Sequence, residues 1–150
     1  MRDIEEPLHL LVRPGDAEVT AVAPLELRNG RLAARSLDNR IGCYVALETA
    51  RRLAADGGGP GAVYGLAVVL EEVGDFAGSR AAAFGLEPDV AIAVDVTHAT
   101  DVRGGDPEEE GERMPGGGAA LTRGPTVHPA VFELLYETAE AEGVACSVEV

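Results

Sequence analysis

The chain has 150 residues, with 12 Arg and no Lys against 26 Asp and Glu, a formal net charge of −14. That length suits one domain with a hydrophobic core. The charge argues against nucleic acid or an anionic membrane surface as a partner, because a phosphate-tracking face needs clustered basic side chains. The longest apolar run, Ala62 to Leu70, is far shorter than the roughly 20 residues of a membrane-spanning helix. Met1 to Leu10 carries no apolar signal segment, and Cys43 and Cys146 are too few for a disulfide framework. These features point to a soluble, cytoplasmic protein with two reduced, core-packing cysteines.

Residues 1–35 read as short strands and turns. Arg13-Pro14-Gly15-Asp16 is a turn, Glu18 to Val22 alternates in part, and Leu25-Glu26-Leu27 runs into Asn29-Gly30, a tight hairpin signal. A helical stripe follows at Ile41, Val45, Leu47, Ala50 and Leu53, and the glycines from Gly57 end it. Ala62 to Leu70 reads as a strand buried on both faces, as in a parallel sheet. Gly78 to Phe84 predicts a helix ending at Gly85, and Val90 to Val94 a second buried strand ending at Asp95. Residues 103–118 read as a long surface loop, Pro129 to Gly143 as an amphipathic helix, and Ser147 to Val150 as the start of a strand. The order predicts an α/β layered domain with a mixed, largely parallel sheet.

In open α/β sheets, functional groups gather beyond the carboxyl ends of the strands. Both predicted buried strands end in acids: Leu70 leads into Glu71-Glu72, and Val94 into Asp95. Asp38 lies just before the first helix, where a carboxylate is favoured. Carboxylates that converge repel unless a cation or shared protons intervene, so meeting acids suggest a divalent metal site. Glu71 and Glu72 are neighbours and point to opposite faces of extended chain. One could ligate a metal while the other takes a proton from water; solvated acids of a post-strand turn are the plainer alternative.

Ser36-Leu37-Asp38-Asn39-Arg40-Ile41-Gly42, then Glu71-Glu72-Val73-Gly74 with Gly78, then Pro88 through Asp95-Val96-Thr97-His98-Ala99, resemble in order the signatures of one family. It is the glutamyl and tetrahedral aminopeptidase family of dinuclear metallopeptidases, some of whose members carry the names cellulase M or endoglucanase. Gly118 to Gly124-Pro125 and the helix after Pro129 follow the same order. The resemblance implies a three-layer α/β/α zinc-peptidase-like core, present in part. Residues 1–35 then correspond to the end of an inserted β domain and the return to the core, and residues 36–150 to a partial catalytic domain. It further implies two divalent ions, zinc or cobalt, with Asp38 bridging them, Glu72 on one, Asp95 on the other, and Glu71 as general base. An often-cis peptide after Asp38 belongs to the same pattern. Peptides are the implied substrates, and the full-length form a homo-oligomer. The family's His-x-Asp motif and its closing His have no counterpart here, so each ion lacks its imidazole. A central fragment that is silent alone is therefore the alternative.

Other residues carry weaker signals. Arg123, before Gly124-Pro125, sits where the resemblance places the substrate cleft, so substrate contact stands beside a plain loop role. His98 reads as a loop histidine hydrogen-bonded to backbone, His128 as preceding a helix, and Glu108 to Glu110 as a solvated loop. A glycosidase ranks last, since adjacent Glu71 and Glu72 diverge and the chain has no Trp platform.

Overall fold

The computed structural model describes residues 19, 21–104 and 111–150. The turn at 13–16, His9, part of the alternation at 18–22 and the acids at 108–110 lie outside the described residues. The chain divides into two compact units, residues 1–94 and 95–150.

The first unit contains a hairpin. Strands β1 (Leu25–Leu27) and β2 (Arg31–Ala33) pair antiparallel, Leu25 opposite Ala33 and Leu27 opposite Arg31. Asn29 and Gly30 both take positive φ, 63° and 67°. That is the backbone a tight hairpin turn requires, and it explains why Asn-Gly marked it.

Helix α1 (Leu37–Ala55) begins irregularly. Asp38 (ψ 108°) and Asn39 (ψ 55°) are not helical, and the peptide between them is cis, so Asp38 sits ahead of the regular turns as expected. One face of α1 carries Gly42, Ala46 and Ala50, spaced four apart and hence stacked above one another. Segment 62–70 packs there. A Cβ on Gly65 would lie 2.7 Å from the Ala46 carbonyl oxygen and 3.0 Å from the Ala50 Cβ. On the exposed side of α1, the Glu48 carboxylate accepts from Arg51 Nε and Nη2 at 2.7 and 2.8 Å, and from Arg52 Nε at 2.8 Å.

Helix α2 (Ala77–Leu86) packs by the same device. A Cβ on Gly78 would strike the Val69 carbonyl oxygen and come within 2.8 Å of its nitrogen. The first turn of α2 therefore lies directly on the backbone at the end of segment 62–70.

The second unit contains a parallel βαβ. Strands β3 (Ala119–Thr122) and β4 (Cys146–Glu149) pair in parallel, Ala119 beside Cys146 and Thr122 beside Glu149. Helix α3 (Pro129–Ala141) connects them, as a parallel pair requires. Pro129 occupies the first turn, where its missing N–H costs nothing. Phe132 is the buried side chain of α3, 5% exposed, and it stacks on Tyr136 at 6.1 Å between ring centroids.

Two expectations need correction. Segments 62–70 and 90–94, read as strands, form no strand ladder among the described residues. They are also not buried: Val69 is 69% exposed and Ile92 61%. An uninterrupted apolar run reports that a segment is built for burial, whereas a ladder needs a neighbouring strand, and neither described sheet supplies one. Both cysteines are free and half-buried rather than part of a closed core. Strand β3 begins at the end of the predicted loop, because Ala119-Ala120 has little strand character of its own and takes it from pairing with β4.

Two substitutions in α2 separate close packing from helix propensity. Gly78→Ala should destabilise by about 1–3 kcal/mol, because its methyl meets backbone. Gly85→Ala, which meets nothing within 4 Å, should be neutral or stabilising by about 0.5–1 kcal/mol. Urea unfolding of both variants measures this. In α1, hydrogen bonds from Arg51 and Arg52 lower the Glu48 carboxyl from 4.5 to about 2. A depressed folded value stabilises above the unfolded one and is lost as pH falls. Glu48→Gln should therefore be less helical than the parent above pH 4.5, the difference closing as pH falls toward about 2, as read by far-ultraviolet circular dichroism.

Candidate active site

Asp38, Glu71 and Glu72 lie in the first unit, all exposed. Asp38 is set by the irregular start of α1. Glu71 and Glu72 open the turn 71–76 between segment 62–70 and α2. Leu70 precedes them at φ 62°, a left-handed residue just before the turn. The far side of the turn is tied down. Ala77 N donates to the Gly74 carbonyl at 3.0 Å, Ser79 Oγ to the Phe76 carbonyl at 3.0 Å, and Arg80 pairs with Asp75 at 2.8 Å.

Asn39, directly after Asp38, makes two side-chain hydrogen bonds. Its Oδ1 accepts from the Gly42 amide at 2.7 Å, and its Nδ2 donates to the Val94 carbonyl at 2.8 Å. The first turn of α1 is thereby tied to the end of segment 90–94. Gly42 is buried in this contact; a Cβ there would meet Asn39 Oδ1 and lie 2.5 Å from the Val94 carbonyl oxygen. Neither residue was singled out from the sequence. The usable signal was an Asn three residues before a Gly at a helix start, which allows a side-chain cap and a close backbone approach together.

Asp95 opens the second unit, and its Oδ1 accepts from the Val96 amide at 2.7 Å. Beyond it, Thr97 Oγ1 donates to Glu149 at 2.9 Å. Thr100, 3% exposed, is clamped to Arg113: the Thr100 amide donates to the Arg113 carbonyl at 2.8 Å, and the Arg113 amide donates to Thr100 Oγ1 at 2.9 Å. His98 joins this network through its backbone, since its carbonyl accepts from Arg113 Nε at 3.2 Å. Arg123 belongs to a different feature. Its guanidinium lies 5.2 Å over the Phe132 ring and 3.5 Å from Glu133, on the rim of a shallow depression floored by Pro125, Val127 and Pro129.

Among the described residues, no group of three or more His, Cys, Asp and Glu stands together to hold a metal ion. Asp38, Glu72 and Asp95 offer carboxylate oxygen alone, whereas catalytic zinc centres are normally completed by imidazole. As placed, the acids do not make up a metal centre by themselves.

The family model for M42 glutamyl aminopeptidase matches residues 1–150. The chain belongs to the M42 glutamyl aminopeptidase family. It is 34% identical over 152 residues to a putative aminopeptidase of Acetivibrio thermocellus, covering 99% of this chain and 43% of that protein. It is 34% identical over 125 residues to a lysyl aminopeptidase of Pyrococcus furiosus, covering 82% of this chain and 34% of that protein. Among solved structures, a TET aminopeptidase from the marine sediment archaeon Thaumarchaeota archaeon SCGC AB-539-E09 superimposes with a TM-score of 0.75 at 32% identity, over 84% of this chain and 36% of that one. An aminopeptidase from Desulfurococcus kamchatkensis gives 0.70 at 33% identity, over 85% of this chain and 36% of that one. The chain thus spans less than half the length of the relatives it matches. With these neighbours, its helices and small sheets form part of an α/β fold of the M42 type.

The Thr100 clamp gives a local test of the segment after Asp95. Thr100→Val keeps the shape and removes the hydroxyl that receives the Arg113 amide, so it should destabilise the second unit by about 1–3 kcal/mol. Thr100→Ser should cost less, and denaturant unfolding of the two variants separates the lost hydroxyl from lost packing.

Proposed function

We propose that this chain carries the acidic portion of an aminopeptidase active site, one that releases N-terminal residues from peptides. The observation that supports the reading most is a family match running the length of the chain, with acids at the predicted segment ends. In this reading Asp38, Glu72 and Asp95 are the carboxylate part of a donor set for two divalent ions, zinc or cobalt. Imidazole ligands outside this set would complete it. Such ions, when bound, would polarise the scissile carbonyl.

Glu71 is the general base of the proposal. It would take a proton from the attacking water and pass it to the departing amine. Its place in the turn after segment 62–70, directly before Glu72 in the chain, suits a base that stands next to a ligand without being one. Arg123 is a candidate substrate contact. Residues 1–35 are proposed as the end of an inserted β domain and residues 36–150 as part of the catalytic domain. A homo-oligomer in the cytoplasm is the setting proposed for the whole protein. No helix among the described residues is long and apolar enough to cross a membrane.

A second reading is favoured by one observation, the missing cluster of three donors among the described residues. It takes the chain as a catalytically silent piece, or an interaction subunit, that keeps the fold without the reaction.

Peptide hydrolysis separates the two. With zinc or cobalt supplied, the aminopeptidase reading expects N-terminal residues to be released and peptides with a blocked amino terminus to stay intact. Glu71→Gln should then cut kcat by about 10²–10⁴-fold while the metal content stays unchanged. Parallel loss of metal and turnover would make Glu71 a ligand, and no metal uptake by a folded parent would favour the silent reading.

A further inference from the structure

We propose that Asn39 is a positioning residue: its carboxamide ties the start of α1 to the peptide group that leads into Asp95. The role in positioning ligands rests on the aminopeptidase reading; the tie itself does not.

Asparagine has a donor and an acceptor on one short, rigid end group, and this site uses both. A helix-start Asn that serves only as a cap needs its oxygen alone, to receive an amide of the first turn. Here Oδ1 does that for Gly42 at 2.7 Å. The donor half serves no capping purpose, yet Nδ2 reaches the Val94 carbonyl at 2.8 Å, across 55 positions of sequence. That carbonyl belongs to the same peptide group as the Asp95 nitrogen. Asp38 precedes Asn39 directly. Two of the three proposed ligand acids are therefore each one residue from the ends of a single hydrogen bond.

Gly42 makes the tie possible. Any side chain there would meet Asn39 Oδ1 and the Val94 carbonyl oxygen at once. The carboxamide and the backbone carbonyl close on the same buried spot, and only a hydrogen atom fits between them and the helix. A segment end that joins no strand ladder among the described residues is thus held by a side-chain bond.

Aspartate at position 39 separates the two halves. It keeps the acceptor for Gly42 and presents no donor to Val94. Triple-resonance NMR on the 150-residue chain reads both ends. In the parent, through-hydrogen-bond coupling from Asn39 Nδ2 to the Val94 carbonyl carbon should be present. In Asn39→Asp, the Val94 carbonyl carbon and the Asp95 nitrogen should shift, with the Gly42 amide still capped and α3 unmoved. If Asn39→Asp does not fold, the presence or absence of that coupling in the parent decides the matter by itself. Absent coupling in the parent, or a variant that moves Gly42 and leaves Val94 and Asp95 in place, would reduce Asn39 to an ordinary cap and overturn the proposal. Failure to hydrolyse peptides would remove the functional reading and leave these signals untouched.

Discussion

The first unit depends on how closely the backbone of α1 can approach segments 62–70 and 90–94. Gly42, Ala46 and Ala50 leave no side chain thick enough to hold them off. Gly65 then meets Ala46 and Ala50, and the Val94 carbonyl meets the space above Gly42. At such distances dispersion is strong and tolerance for added atoms is low. The same close approach recurs where Gly78 of α2 lies on Val69. The acids inherit their places from these contacts. Asp38 stands at the start of the helix that makes the first two, and Glu71 and Glu72 follow the segment that receives the third.

The second unit is organised differently. A parallel β3–α3–β4 unit closes its own ladder, extended at one end by the Ala119 amide on the Ala145 carbonyl (3.2 Å) and at the other by the Arg123 amide on the Glu149 carbonyl (2.7 Å). Phe132 supplies its apolar centre, with Arg123 lying over the ring. Segments 62–70 and 90–94 have no such closure among the described residues. Their side chains are written for two covered faces and are half or more exposed at Val63, Tyr64, Val69, Val90 and Ile92. The chain spans 43% and 34% of the length of two relatives.

Local signals in the sequence were legible where local physics decides the structure. Asn29-Gly30 fixed the hairpin, because only residues tolerant of positive φ fit it. The stripe from Ile41 and the Pro129 start gave α1 and α3, and Gly78 to Phe84 gave most of α2. Asp38 was legible as a residue ahead of a helix. Strand pairing was not, because a ladder is a property of two segments and an apolar run is a property of one. The Asn39 tie was hidden for the same reason: one partner lies 55 positions away and is a backbone carbonyl, which no residue type announces. The family resemblance rested on ordered motifs over much of the chain, and the family match bears it out from 1 to 150. The ligand roles proposed for Asp38, Glu72 and Asp95 require the three carboxylates to meet around a metal ion, which spacing along a chain does not encode.

Anomalous X-ray scattering from cobalt in crystals of the protein tests that requirement most directly. The account requires cobalt peaks bounded by the carboxylates of residues 38, 72 and 95, with the carboxylate of residue 71 beside the metal and outside its coordination shell. Cobalt bound elsewhere on the chain, with those three side chains turned away from it, would contradict the account.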